Sequence, residues 1–155
     1  MKKEYLTHTQ MDQYYSEVIR GMAISRYAPN KILALSRGGL DFGLKLSHYF
    51  DTAIVPITWQ LRDHGERDHN RLREELKEAA KYGDSVLVVD DMIDSGATMT
   101  EIMDVTDKYE DSVNIDFACA IYNLGSGCDV TWSGRDINRI DEDQWFVFPW
   151  ENWWK

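Results

Sequence analysis

Residues 85–98 constrain this chain more than any other stretch. Val86, Leu87, Val88 and Val89 form a continuous apolar run, three of the four β-branched. Side chains of a strand alternate between faces, so a run that is apolar throughout is buried on both sides, the habit of a parallel strand covered by helices. The run ends in Asp90 and Asp91, then Asp94, and a turn of Ser95, Gly96, Ala97 and Thr98 follows. Beyond it, Met99, Ile102, Met103 and Tyr109 recur at helical spacing. Strand, small-residue turn and helix together are a unit of α/β proteins, which bind ligands outside the carboxyl ends of their strands.

The rest of the chain repeats that alternation. Thr7 and Gln10 have capping-box spacing, and Met11, Tyr14, Tyr15, Val18, Ile19 and Met22 continue as one face of a helix that Pro29 and Asn30 end. Residues 31–35 read as a short apolar strand, and Leu40, Leu44 and Tyr49 mark the apolar face of a second helix. Residues 53–58 read as a strand whose Pro56 places it at a sheet edge or an irregularity. Residues 60–70 are a polar loop. A helix over 71–82 buries Leu72, Leu76 and Ala79 and stops at Gly83. Residues 113–122 form another strand, and the aromatic last forty residues are irregular except for a strand at 145–148. There is no repeat or low-complexity linker, which predicts one α/β domain.

Charge and cysteine usage exclude several classes of function. Lys and Arg number 17 against 27 Asp and Glu, a net charge of −10, which argues against nucleic acid or an anionic membrane as partner. No run approaches the ~18 apolar residues of a membrane span. Cys119 and Cys128 are too few for a disulfide framework, Cys119 lies in an apolar run, and a reducing cytoplasm is the expected compartment. His64 and His69 stand five apart, on different faces of any helix, so no zinc site is expected from them.

The chemistry concentrates at two strand ends. In the turn at 95–98, small residues let backbone N–H groups close around an anion at a helix N-terminus, and Ser95 and Thr98 add hydroxyls. The helix dipole supplies only ~0.3–1 kcal/mol. Micromolar affinity needs about 8 kcal/mol, so several hydrogen bonds or a metal must supply the rest. Asp90 and Asp91 are acceptors for the two hydroxyls of a ribose, or one for the sugar and one for a hydrated Mg²⁺. The second strand end carries Ser36, Arg37, Gly38 and Gly39. Its glycines are expected to give close backbone approach and positive φ, and Arg37 a charge-assisted donor.

The run VLVVDDMIDSGAT, residues 86–98, resembles the thirteen-residue phosphoribosyl-diphosphate signature of type I phosphoribosyltransferases, without gaps and in the same strand–loop–helix context. The resemblance implies that family's fold: a mainly parallel twisted sheet flanked by helices, here a core of about 10–125 with a C-terminal hood of about 126–155. It implies transfer of a phosphoribosyl group to a base with Mg²⁺ as cofactor. Ser95, Gly96, Ala97 and Thr98 would hold the 5′-phosphate, and Asp90 and Asp91 the ribose and metal, Asp91 being the metal ligand. Ser36, Arg37, Gly38 and Gly39 would hold the leaving diphosphate, with a cis Ser36–Arg37 peptide. Asp94 would sit at the purine imidazole edge and accept a proton; it and Arg37 are the expected catalytic residues.

The segment DQWFVFPWE, residues 143–151, is similar to the tail of bacterial xanthine-guanine phosphoribosyltransferases. By that resemblance Trp145 stacks on the base and the backbone around Phe146 reads its edge, while Trp150, Trp153 and Trp154 are core or subunit-contact aromatics. The loop at 60–69 corresponds to a lid, with Arg62, Arg67, Arg71 and Arg73 as candidate arginines and Arg73 as the match. The implied partners are phosphoribosyl diphosphate and a purine base, with guanine, xanthine or hypoxanthine foremost, in a dimeric or tetrameric homo-oligomer. One position departs from the pattern: the 6-oxopurine branch has a Lys at the end of the strand after the signature helix. Here the segment reads FACAIYNLG, residues 117–125, and Tyr122 or Asn123 takes its place. That leaves adenine or another base open, and also a non-catalytic sensor of phosphoribosyl diphosphate or nucleotide.

Overall fold

The computed structural model describes residues 1–62 and 65–155, so His64 lies outside the described residues. In chain order the elements are β1 (Lys3–Tyr5), α1 (His8–Ile24), β2 (Lys31–Ser36), α2 (Leu40–Phe50), β3 (Ile54–Thr58), α3 (His69–Tyr82), β4 (Ser85–Ile93), α4 (Ala97–Thr106), β5 (Asn114–Asn123), β6 (Trp132–Ile137) and β7 (Trp145–Val147). Five strands form one all-parallel sheet in the order β3-β2-β4-β5-β6. The edge position of β3 accommodates Pro56, which has no N–H for a second neighbour.

Strand alternation divides the interior in two. Ile32, Ala34, Leu87 and Val89 point to the layer that holds Met11, Tyr15, Val18 and Met22 of α1 and Phe42 and Leu46 of α2. Leu33, Leu35, Val86 and Val88 point to the other layer, against Leu72, Leu76 and Ala79 of α3 and Met99, Ile102 and Val105 of α4. Both faces of β2 and β4 are therefore dry, as their unbroken apolar runs require.

Local signals act where they were expected. The Thr7 and Gln10 side chains each accept from the other's backbone N–H, at 3.1 and 2.9 Å, and start α1. Gly83 ends α3 in the left-handed conformation, φ 65°. Two expectations need correction, and one element was not foreseen. Leu44 and Tyr49 are exposed, and α2 buries Phe42, Gly43 and Leu46 instead, because the sheet beneath it sets which stripe is covered. Residues 132–137 are a fifth sheet strand rather than irregular chain, so part of the expected hood belongs to the main sheet. Lys3–Tyr5 also forms a strand and pairs in parallel with β7, joining the two ends of the chain. No helix among the described residues is long and apolar enough to cross a membrane.

Candidate active site

The carboxyl ends of β2 and β4, two neighbouring inner strands, open into one cleft of about 940 Å³. Its wall contains Ser36, Arg37 and Gly38 from the first strand end and the continuous stretch 90–98 from the second. The two loops are pressed together. A Cβ on Gly38 would overlap the Asp91 carboxylate, and one on Gly39 would meet the Val89 carbonyl oxygen at 2.5 Å. These glycines are required by close approach alone. Neither has positive φ, contrary to expectation, and Gly39 caps α2 at φ −78°. The Ser36–Arg37 peptide is cis, as expected.

The turn before α4 needs glycine for a different reason. Gly96 has φ +83°, and a Cβ there would also meet the Ser126 carbonyl at 2.6 Å and the Cys128 sulfur at 2.8 Å. No side chain caps α4 conventionally; the Ser95 hydroxyl accepts from the Ala97 N–H at 3.3 Å. The helix start thus presents donors and hydroxyls to the cleft, as an anion site does.

Asp90 and Asp91 are partly buried at the floor. The Asp91 N–H bonds the Asp90 carboxylate at 2.9 Å, and the Met92 N–H bonds the Asp91 carboxylate at 2.7 Å. Removal from water raises the pKa of both. For Asp90 the neighbouring Asp91 charge adds to that rise; Asp91 is pushed up to about 6, with Glu151 contributing. Among the described residues no three His, Cys, Asp or Glu side chains converge as a metal cage. The donor set still suits Mg²⁺, which commonly takes one or two carboxylates and completes its shell with substrate phosphate and water.

Asp94 is not free. Arg139 grips it with Nε to Oδ1 at 2.7 Å and Nη2 to Oδ2 at 2.9 Å. Arg139 Nη1 bonds the Glu142 and Gln144 carbonyls at 3.1 and 2.7 Å, and the guanidinium lies 5.3 Å from the Phe146 ring centroid. Arg139 was not among the sequence candidates. It stands in an irregular segment where no periodicity assigns a role; the only hint was an arginine, with Arg135 four residues before it, among Asp136, Asp141, Glu142 and Asp143.

The structure does not bring Asn123 to the cleft wall. It is buried; its amide donates to the Asp94 carbonyl at 2.9 Å and accepts from the Gly125 N–H at 3.1 Å. Tyr122 is also committed, its hydroxyl donating to the Cys128 carbonyl at 2.6 Å. Trp145 is partly exposed and stands apart from that wall, with the Arg62 guanidinium 4.7 Å from its ring centroid. Trp145 N and Val147 O bond β1, so the alternation of the strand turns the N–H and C=O of buried Phe146 to the opposite edge.

Of the other loop arginines, Arg67 pairs with Glu101 on α4 at 2.6 Å, Arg71 pairs with Glu75 at 3.2 Å, and Arg73 is exposed on α3. Arg62 is the one that lines the cleft. Trp150 packs against the core as expected, stacked on Phe148 with ring centroids 5.0 Å apart, and with Glu151 and Trp154 also lines the cleft; Trp153 is exposed.

A family model for the phosphoribosyl transferase domain matches residues 8–152. The chain belongs to that family. This phosphoribosyltransferase is 27% identical over 122 residues to a xanthine-guanine phosphoribosyltransferase of Gluconobacter oxydans, covering 77% of this chain and 67% of that protein. It is 28% identical over 122 residues to one of Idiomarina loihiensis, covering 77% and 70%. The fold matches a purine phosphoribosyltransferase of Pyrococcus horikoshii at TM-score 0.71 and 23% identity, over 98% of this chain and 95% of that one. It also matches a Neisseria gonorrhoeae protein with bound ppGpp at TM-score 0.73 and 17% identity, over 97% and 89%. Family and fold therefore agree with the resemblance carried by residues 86–98.

Proposed function

We propose that this phosphoribosyltransferase moves the 5-phosphoribosyl group of phosphoribosyl diphosphate to a purine base, with guanine, xanthine or hypoxanthine foremost, and releases diphosphate. The observation that carries this reading is the convergence of both strand-end loops, with their acids, anion-binding turn and Arg37, on one cleft. The named activity of the two bacterial relatives supports the choice of purine.

In this reading the turn of Ser95, Gly96, Ala97 and Thr98 anchors the 5′-phosphate, and Asp90 and Asp91 hold the ribose hydroxyls. Ser36, Arg37 and the amide of Gly38 receive the diphosphate, while the Gly39 N–H, also expected there, bonds the Leu35 carbonyl at 2.8 Å and only lets the loop pack closely. Asp91 is the residue that would hold Mg²⁺, which when bound would supply charge neutralisation for the leaving diphosphate. The purine nitrogen attacks C1′ as the C1′–oxygen bond to diphosphate breaks, through an oxocarbenium-like state, so the protein's task is positioning and charge stabilisation. Asp94 accepts the proton of the imidazole edge. The C-terminal hood, with Trp145 and the free backbone edge of Phe146, covers the base, and Arg62 closes over the site from the loop.

The test is nucleotide formation from phosphoribosyl diphosphate, Mg²⁺ and single bases, followed by mass spectrometry. Magnesium-dependent conversion of guanine, xanthine or hypoxanthine is expected. Binding of phosphoribosyl diphosphate with no conversion of any base overturns the enzyme reading in favour of a sensor.

A further inference from the structure

We infer that Asn123 and Cys128 are positioning residues that set the affinity of this site for the 5′-phosphate: they hold the carbonyls of Asp94 and Gly96 back and so aim the N–H groups of Ser95 and Ala97 into the cleft. The inference rests on the proposed reading, in which residues 95–98 bind that phosphate.

The Asn123 amide donates to the Asp94 carbonyl at 2.9 Å. Its own oxygen accepts from the N–H groups of Gly125 at 3.1 Å and Arg139 at 3.4 Å, which fixes the donor end toward Asp94. The Cys128 thiol donates to the Gly96 carbonyl at 3.3 Å, with the Thr100 hydroxyl 3.1 Å from the sulfur. The Tyr122 hydroxyl holds the Cys128 carbonyl at 2.6 Å, and the Ser126 N–H bonds the Asn123 carbonyl at 3.0 Å, so the clamp is itself secured to the end of β5. Asn123 and Cys128 are buried and stand outside the wall that residues 94–98 help to form, so both reach the turn from its far side.

A trans peptide is planar, with its C=O and N–H on opposite sides. The Asp94 carbonyl shares a plane with the Ser95 N–H, and the Gly96 carbonyl shares one with the Ala97 N–H; both peptides are trans. Drawing each carbonyl to the far side therefore turns its N–H toward the cleft. Among the described residues the Ser95 N–H has no partner, and the Ala97 N–H has only the Ser95 hydroxyl at 3.3 Å. Successive N–H groups facing one way make an anion-binding concavity, and a carbonyl rotated into their place would repel the same anion. Gly96, at φ +83°, restrains the adjoining peptides less than a residue with a side chain would, so the turn needs a hold from outside. Donors fixed before the ligand arrives lose less freedom in binding it.

Titration calorimetry with two probes tests this: ribose 5-phosphate for the turn, and magnesium diphosphate for the loop at 36–38. Asn123→Asp keeps the acceptor for the Gly125 and Arg139 N–H groups but sets a carboxylate oxygen against the Asp94 carbonyl. It should bind ribose 5-phosphate at least ten-fold more weakly than wild type and diphosphate within two-fold. Cys128→Ala should weaken ribose 5-phosphate about three- to five-fold, and Cys128→Ser, whose hydroxyl also donates, should recover most of that loss. Ribose 5-phosphate affinity within two-fold of wild type in Asn123→Asp or in Cys128→Ala overturns the inference. So does a parallel loss of diphosphate, the mark of a fold loosened as a whole, or a Cys128→Ser variant as weak as Cys128→Ala. If Asn123→Asp does not fold, the two Cys128 variants decide by the same measures. Failure of ribose 5-phosphate to bind the wild type instead sinks the phosphoribosyl reading itself.

Discussion

At the scale of single residues the site is a set of acids in unlike surroundings. Asp90 and Asp91 are drawn out of water, so each keeps its proton to higher pH in the folded chain than in the unfolded one, where Asp titrates near ~3.9. Between that value and about 6 the folded state binds more protons than the unfolded state, so the pair's contribution to stability falls as pH rises through this window. Asp91→Asn removes one of the two charges. Its melting temperature relative to wild type should rise more at pH 7.5 than at pH 4.5, and the opposite trend would contradict the shift.

Asp94 differs, since Arg139 satisfies both of its oxygens. Asp94→Asn should lower kcat by roughly 10²-fold, the usual scale for losing a proton acceptor, with the dissociation constant of phosphoribosyl diphosphate largely unchanged. Steady-state kinetics beside direct binding separates the two. Equal loss of both would deny Asp94 that role.

Among elements, the signature unit β4–turn–α4 is the one whose shape is dictated locally. Its apolar strand, its Gly96 and the Met99 and Ile102 part of its helical stripe were legible, because each depends on residues within a few positions; Tyr109 lies past the end of α4, whose buried face is completed by Val105 and Thr106. Gly96→Ala tests the turn. A non-glycine residue at that φ costs about 1–3 kcal/mol, and the methyl would also press on the Ser126 carbonyl. Thermal melts should show a loss of several degrees, and ribose 5-phosphate affinity should fall with it. An unchanged melt and unchanged affinity would remove the geometric argument for this anion site. The α2 face was misread for an equally physical reason. Leu44 and Tyr49 have helical spacing with Leu40, but the stripe that is buried is chosen by the residues of β2 and β4 beneath it.

On the scale of the whole molecule, the two chain ends meet. Lys3–Tyr5 pairs with Trp145–Val147, Gln144 donates to Glu4 at 2.7 Å, and Arg135 bridges Glu4 and Glu142. The N-terminal strand thereby holds the hood edge that turns the Phe146 backbone outward. Deleting residues 1–6 should weaken inosine monophosphate binding at least ten-fold and ribose 5-phosphate binding less than three-fold, measured by calorimetry. A parallel loss of both would show that the strand supports the fold rather than the base end.

What this chain's sequence determined by itself was everything encoded by near neighbours: the buried parallel strands, the caps of α1 and α3, the small-residue turn before α4 and the acids at the carboxyl end of β4. Those features arise from side-chain alternation, helix periodicity and glycine conformation, which operate over a few residues. Tertiary structure alone decided the rest. The Arg139 grip on Asp94 spans 45 positions, the Arg62 stack on Trp145 joins loop to hood, and the β1–β7 pairing joins opposite ends of the chain. Tyr122 and Asn123 were diverted into backbone bonds, and Trp150, Glu151 and Trp154 were brought to the cleft wall. None of these leaves a periodic trace, because a long-range contact needs only that two suitable side chains arrive at one place after the sheet has formed.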